Sequence, residues 1–443
     1  MPLQTSPLLI GERFVEKVEV IVVGAGLAGL ACALVLAEAG AEVLVVERGD
    51  YPGSKNVTGG RLYLGPVRPY LPDLWDDAPL ERHVVKERLT MVAPHSSITV
   101  ELDSQQFRQP PYPSYTLLHS TFDRWFADQA AERGALIIPG YKVDDLVMED
   151  GRVVGIVSAG DEIHADAVVA ADGVLSFMAE KAGLRGPLVP RNYAVAAKEV
   201  IELPPRTIEE RFGLEEGEGA AQLFFGSITQ GMFGGGFLYT NRESLSLGLV
   251  VAIHDLMEKE PPVSPHELLE AFKARPEIRP LIADGHPVEY SAHLIPEGGF
   301  RALPRLVTDG MVVVGDAAGL ALNMGVTVRG LDFALASGVM AARALLRARE
   351  QHDFSAATLA YYETQLRDSF VWQDLRTFQH MPDFLANPRL YELYPSVICS
   401  LLERLMWIGE EPKEKLSTTV FRTVRQNLLR ADVLKDLLGL WRV

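Results

Sequence analysis

Cysteine is nearly absent from this chain of 443 residues: Cys32 and Cys399 are the two, each in an apolar stretch. They point to neither a disulfide framework nor a metal-ligand cluster, and they fit a reducing compartment. Basic residues are in deficit, 42 Lys and Arg against 59 Asp and Glu, for a net charge of −17. Affinity for a polyphosphate comes from Lys and Arg displacing condensed counterions, so no nucleic acid is expected as a partner. Low-complexity tracts are also lacking. The composition is that of an ordinary globular protein, long enough for about two to three folding units and a large buried cofactor.

No run reads as a membrane span. Val20 to Ala37 is apolar and approaches the necessary length, but it carries Gly24, Gly26 and Gly29 and passes from β-branched residues to an Ala/Leu pattern. That pattern describes a buried strand, turn and helix. The uncharged stretch from Gly219 to Asn241 is broken by glycines, Gln222, Ser227, Thr229 and Gln230, which a lipid-facing helix would not carry. Met1–Glu16 lacks a basic segment followed by an apolar one, so no signal peptide is expected. The expected location is cytoplasmic, on or off a membrane surface.

What is present begins with a βαβ unit. Val18–Val23 is a β-branched apolar run; GAGLAG follows over residues 24–29, then a helical pattern over Leu30–Ala39 and a second strand over Glu42–Val46. Gly24 allows the tight turn, Gly26 lets the backbone approach a pyrophosphate, and Gly29 lets helix and strand pack closely. The helix start offers unpaired N–H groups and a positive dipole end. Glu47 closes the second strand, where a carboxylate accepts hydrogen bonds from ribose hydroxyls, and Arg48 lies toward the adenine side.

GAGLAG alone does not separate FAD from NAD. Two later segments favour FAD: the strand pattern Ile163–Ala170 runs into Ala171-Asp172-Gly173, and Gly310–Val314 runs into Gly315-Asp316-Ala317-Ala318-Gly319. An Asp between a strand and a glycine-containing helix start can hold a ribityl hydroxyl, while the following N–H groups face a phosphate. No second GxGxxG with an acid after it follows, as a built-in nicotinamide domain would need, so the simplest electron source is another protein.

The order of these motifs resembles the glutathione-reductase-type flavoproteins of the hydroxylase and geranylgeranyl-reductase branch. Within that branch, KNVTGGRLY (55–63), FGGGFLY (233–239), YSAHLIPEGGF (290–300) and TVRGLD (327–332) resemble the electron-transfer-flavoprotein:quinone oxidoreductases, above all their shorter FixC type, over roughly residues 16 to 345. The resemblance implies an α/β fold: a Rossmann-type FAD-binding domain of the glutathione reductase family over 16–81, 114–189 and 301–345. An inserted antiparallel-sheet domain for quinone or substrate is expected over 82–113 and 190–300, and a helical C-terminal region over 346–443.

It also implies one non-covalent FAD held by Gly24, Gly26, Leu27, Ala28, Gly29, Glu47, Arg48, Lys55, Gly59, Gly60, Arg61, Val143, Ala171, Asp172, Gly173, Gly315, Asp316, Ala317, Gly325, Val326 and Leu331. Arg329 and Gly330 are expected at the N1 side of the flavin, where a charge-assisted donor favours the anionic reduced form. For Arg329 an ion pair is an equal expectation. Phe233, Gly234 and Gly235 are expected at the quinone head group, where large apolar side chains alternate with bare backbone. One position departs from the pattern: in HSTFD (119–123), His119 stands where an Arg is usual, and it is read first as a hydrogen-bonded structural residue.

The implied activity is electron transfer from a two-subunit electron transfer flavoprotein to membrane menaquinone or another quinone, within an NADH-driven electron-bifurcating complex of the FixABCX type. Fuller members hold an iron–sulfur cluster on four C-terminal cysteines, and Cys399 alone cannot. No iron–sulfur cluster is therefore expected in this chain, and a small ferredoxin-like protein is expected to dock on it, with peripheral contact to the inner face of the cell membrane. Two alternatives stay open, an electron-relay scaffold to that partner and an NAD(P)H-dependent prenyl-lipid reductase or hydroxylase. After Ala344 the pattern turns helical, with Phe354–Phe370 and Ser417–Leu440 periodic; the apolar Tyr394–Gly409 reads as core, membrane contact or partner contact.

Overall fold

The computed structural model describes residues 8–10, 13–15, 17–55 and 60–440. Most of Met1–Glu16 and the Asn56–Gly59 portion of the KNVTGGRLY motif, with the expected cofactor residue Gly59, lie outside the described residues.

Lys17–Val23 forms the middle of a parallel sheet. Leu136–Ile138, Val43–Val46, Lys17–Val23, Asp161–Ala170 and Met311–Val313 lie side by side in that order. Val20–Val23 and Val43–Val46 are buried throughout, which is why they read as continuous β-branched runs rather than alternating ones. The helix Leu27–Glu38 packs against the long helix Leu331–Gln351. A side chain at Gly338 would place its Cβ 2.1 Å from the Ala28 carbonyl oxygen, so glycine is what lets the two backbones meet. Arg152–Ser158 and Asp145–Glu149 continue the sheet antiparallel.

A second sheet carries, in order, His286–Pro296, Tyr193–Glu202, Ser244–Ala252, Gly234–Thr240, Glu218–Gly226, His83–Val92, Ser114–Leu117 and Gly60–Tyr63. It is mixed rather than wholly antiparallel, because Glu218–Gly226 runs parallel to His83–Val92. Gly60–Tyr63 and Ser114–Leu117 come from segments expected beside the FAD yet pair here. Leu245, Leu247, Leu249 and Val251 pack under Ile208, Phe212, Leu268 and Phe272 of two covering helices. The alternating Ser244–Val251 pairs antiparallel on both sides, and its second face is closed too: Asn241 donates to the Ser244 and Ser246 hydroxyls, and Gly248 leaves room for the Phe237 ring.

Beyond Gln351 the chain is helical. The periodic stretch Phe354–Phe370 divides into Ala356–Leu359 and Tyr361–Asp368, and Ser417–Leu440 into Leu416–Asn427 and Ala431–Leu440. Leu393–Met406 buries Pro395, Val397 and Cys399, but its last residue Met406 and the following Trp407 and Ile408 are each 75% exposed. Tyr394–Gly409 is thus core on one side and open at its end. Among the described residues no helix is long and apolar enough to cross a membrane.

Candidate functional site

Three motifs separated in sequence converge on the first turn of Leu27–Glu38. Gly24 has φ +107°, and a Cβ there would lie 2.3 Å from the Ala171 carbonyl oxygen, so the GAGLAG turn sits directly on AADG. A Cβ on Gly29 would meet the Gly24 carbonyl oxygen at 2.1 Å. Gly315, at φ +59°, would carry its Cβ 2.8 Å from that of Ala28, which brings GDAAG to the same turn. Gly26 caps the helix without a side-chain hydrogen bond and no acid occupies the first turn, so the N–H groups around Leu27, Ala28 and Gly29 are an open anion site.

Glu47 is buried at the strand end, its two oxygens accepting from the Ala25 N–H at 3.0 Å and the Gly49 N–H at 2.6 Å. Those bonds aim the carboxylate along the edge of the same turn and leave acceptor capacity for a diol. Asp172 accepts from the Met178 N–H at 3.0 Å through one oxygen, while its buried Oδ1 has no protein partner. Burial raises the Asp172 carboxyl, and it pushes Asp316 up to about 6. His119 bonds Asp123 through Nδ1 at 2.9 Å, as expected of a structural histidine, but its buried Nε2 lacks a partner and lies within electrostatic reach of Asp316. Unpaired buried polar atoms on an anion-ready turn, together with a cradle that any Cβ would fill, fit FAD. Arg48 and Lys55 are exposed, Gly173 and Ala317 sit in these turns, and Val143 is half-buried against the first core.

The expected isoalloxazine segments also meet. A Cβ on Gly60 would fall 2.6 Å from Leu331 Cδ1, and Gly325, at φ +78°, donates its N–H to Asn323 Oδ1 at 2.9 Å. Val326 beside it is exposed. The two arginines placed here do not present free charge. Arg61 makes a bidentate pair with Glu87, bonds Ser114 Oγ and lies over the Tyr63 ring. Arg329 pairs with Asp332 and Asp374 and is ringed by Tyr63, Phe333 and Phe370. Two carboxylates thus neutralise the charge expected at the flavin from Arg329. The backbone from Gly330 to Leu331, an N-cap without a side-chain bond, is what remains for a developing negative charge.

Phe233, Gly234 and Gly235 lie at the start of Gly234–Thr240. The Phe233 N–H donates to Asp255 Oδ2 at 2.7 Å. Next to them stands a residue that no local motif marks: Tyr391 is buried, donates its hydroxyl to the Leu385 carbonyl at 2.7 Å, and meets the Gly234 backbone. Glu297, inside YSAHLIPEGGF but given no role from sequence, is pushed up to about 7 by burial, with Asn323 Nδ2 3.4 Å away. Its signal was a lone acid between apolar strand residues and two glycines. A separate cavity of about 160 Å³ has Tyr63, Leu89, Leu223, Tyr239 and Val326 as apolar walls and the Arg61–Glu87 pair as a polar patch.

Residues 19–100 and 112–344 match the family of FAD dependent oxidoreductases, and 381–443 match the ETF-QO/FixC family C-terminal domain. The chain is 44% identical over 421 residues to a probable electron transfer flavoprotein-quinone oxidoreductase, YdiS, of Escherichia coli K12, covering 95% of this chain and 97% of that one. It is 46% identical over 404 residues to protein FixC of Escherichia coli O157:H7 (91% and 94% covered) and 43% over 407 to that of Azotobacter vinelandii (90% and 93%). Among solved structures, a geranylgeranyl bacteriochlorophyll reductase-like protein of Thermoplasma acidophilum superposes with TM-score 0.72 at 20% identity, covering 95% of this chain and 98% of that one. The myxobacterial halogenase CndH does so with TM-score 0.64 at 19%, covering 93% and 90%; both likenesses are of fold alone.

Proposed function

Since the chain belongs to the ETF-QO/FixC family of FAD-dependent oxidoreductases, we propose that it takes electrons from a two-subunit electron transfer flavoprotein and reduces membrane quinone. The observation that carries this reading is the extent of the kinship: it spans the FAD segments and the C-terminal region alike, where a shared dinucleotide fold would account for the first only. In this division 16–81, 114–189 and 301–345 serve FAD, 82–113 and 190–300 serve the quinone, and 346–443 meets a partner or the membrane.

Bound FAD supplies a carrier that accepts electron pairs and releases them singly or together. The chain's own residues do the rest. The turn at Gly24–Gly29 binds phosphate, Glu47 and Asp316 orient hydroxyls, and Gly330–Leu331 presents backbone donors to negative charge. Phe233 offers a ring wall, and Gly234 and Gly235 offer half-buried backbone bare of side chains, to a quinone head group. The exposed Met406, Trp407 and Ile408 suit a peripheral contact with the inner face of the cell membrane. With two cysteines in all, a cluster would have to come with a small ferredoxin-like partner, in an NADH-driven bifurcating complex.

The test is direct: purified FAD-loaded protein, mixed with a reduced electron transfer flavoprotein, is expected to reduce a menaquinone analogue. No quinone reduction refutes the reading. Rapid cluster reduction without competition by quinone would assign the relay role, and flavin reduction by nicotinamide alone would assign a reductase.

A further inference from the structure

We propose that Glu297 is the acid that feeds a proton to the quinone, delivering it to an oxygen held against Gly234, and that Tyr391 is the positioning residue of this route. The inference rests on the quinone reading above and deepens it. Three observations place the carboxyl there. Glu297 follows the last residue of His286–Pro296, its N–H donating to the Asn192 carbonyl at 2.8 Å. Its side chain lines a cavity of about 10 Å³, close to the size that holds one water, with Asn323, Phe378, Pro382 and Leu385. The carbonyl of that same Leu385 receives the Tyr391 hydroxyl, which also meets the Gly234 backbone, while the Phe233 ring stands 6.3 Å from the Tyr391 ring.

What Glu297 lacks as a partner is as telling as where it sits. Two carboxylates held below their ordinary range are each paired with a guanidinium group, Glu218 with Arg108 and Asp436 with Arg389. Glu297 has a neutral amide at 3.4 Å. Packed against Phe378, Pro382 and Leu385, it is pushed up to about 7, where a group can both give and regain a proton. Tyr391 is held far too high by burial to release its own proton, so it positions and does not donate.

The charged and titratable groups around Glu297 are few. Tyr391 feels both Glu297 and Asp255. Glu392 lies over Gly231, and Arg301, exposed, bonds both Asp383 and His380. Quinone becomes quinol by gaining two electrons, from the reduced flavin, and two protons. One proton leaves the Glu297 carboxyl as an O–H bond forms on the quinone oxygen at Gly234, solvent supplies the second to the opposite oxygen, and a proton from solvent restores the Glu297 carboxyl.

The test uses FAD-loaded protein reduced with dithionite and mixed anaerobically with a short-chain menaquinone analogue, over a pH range spanning about 7. Wild-type reoxidation is expected to slow as pH rises through that value. E297Q should be slowed about 100-fold without the inflection, and E297D should recover part of the rate. Ferricenium, an acceptor that takes no proton, should oxidise E297Q as it does the wild type. Y391F should raise the KM for quinone more than it lowers kcat. As an independent readout, infrared difference spectra should show a protonated-carboxyl band that titrates near 7 and is missing from E297Q. Wild-type oxidation by quinone with E297Q equally fast, or no such band, overturns the role of Glu297 alone. A wild type that quinone does not oxidise at any pH overturns the quinone reading with it.

Discussion

Arg329 offers the sharpest test of how the flavin side of the fold is built. Its guanidinium is 13% exposed and pairs with Asp332, which is 1% exposed, and with Asp374. Substituting Arg329→Met removes the charge but leaves the Asp332 carboxylate buried, and breaking a buried pair this way costs about 3–5 kcal/mol. With an unfolding entropy near ~2.1 cal/mol/K per residue, a chain of this length loses about 1 kcal/mol per degree, so the melting temperature should fall by about 3–5 °C. The double variant Arg329→Met with Asp332→Asn removes the stranded charge and should recover more than half of that loss. Differential scanning calorimetry on FAD-loaded protein measures both, and spectroelectrochemistry measures the flavin potential. A single variant that keeps its melting temperature while its flavin potential falls would refute the ion-pair account and return Arg329 to the cofactor.

At the GAGLAG turn, Gly24→Ala forces a side chain onto φ +107° and into the Ala171 carbonyl at 2.3 Å, so FAD affinity should drop at least about tenfold in equilibrium dialysis; full occupancy would overturn the convergence described above. Asp316 is pushed up to about 6, and a ribityl hydroxyl donates a stronger, charge-assisted bond to its ionised form. The FAD dissociation constant should therefore rise as pH falls below about 6, by up to tenfold per unit, and Asp316→Asn should flatten the profile; an unchanged slope in that variant removes Asp316 from the cofactor. The triple variant Met406→Ser, Trp407→Ser, Ile408→Ser deletes about 1.5–3 kcal/mol of transferable apolar surface per residue. Flotation with anionic vesicles should lose at least about nine-tenths of the bound protein, and equal flotation would rule out membrane contact by this segment.

The parts of the fold legible in the sequence are those whose cause is local. Val20–Val23 and Gly24 announce strand and turn because burial on both faces and φ +107° each demand particular residues at adjacent positions. Glu47 was legible for the same reason, since the strand end carries it to the turn. Arg61 was not: its carboxylate, Glu87, stands 26 residues away, and nothing at the arginine itself reports a partner that distant; for Arg329 an ion pair was an open expectation, met by Asp332 three residues on, whereas Asp374, 45 residues away, was not legible. Ser246 and Gly248 illustrate another kind of closure that local sequence does not report. Small polar residues on alternate positions look solvated, but here a serine finds Asn241 and the glycine admits Phe237, so the second face is closed by a hydrogen bond and by a ring.

Gly234 and Gly235 sharpen what a glycine motif can and cannot say about a ligand. A Cβ on Gly234 would stand 2.0 Å from the Val250 carbonyl oxygen, and one on Gly235 would stand 2.6 Å from that of Phe224. Neighbouring strands therefore require both glycines whether or not a quinone ever approaches. Their presence alone does not separate a binding site from a tightly packed sheet. The surrounding polar groups make that distinction. A sheet needing only close packing would have apolar residues around this strand start. Instead Asp255 takes the Phe233 N–H, Tyr391 is buried against Gly234, and Glu297 sits nearby without a counter-ion. Holding a buried tyrosine and two half-buried carboxyls at one spot costs stability, which packing would not explain and proton-coupled chemistry at that backbone would.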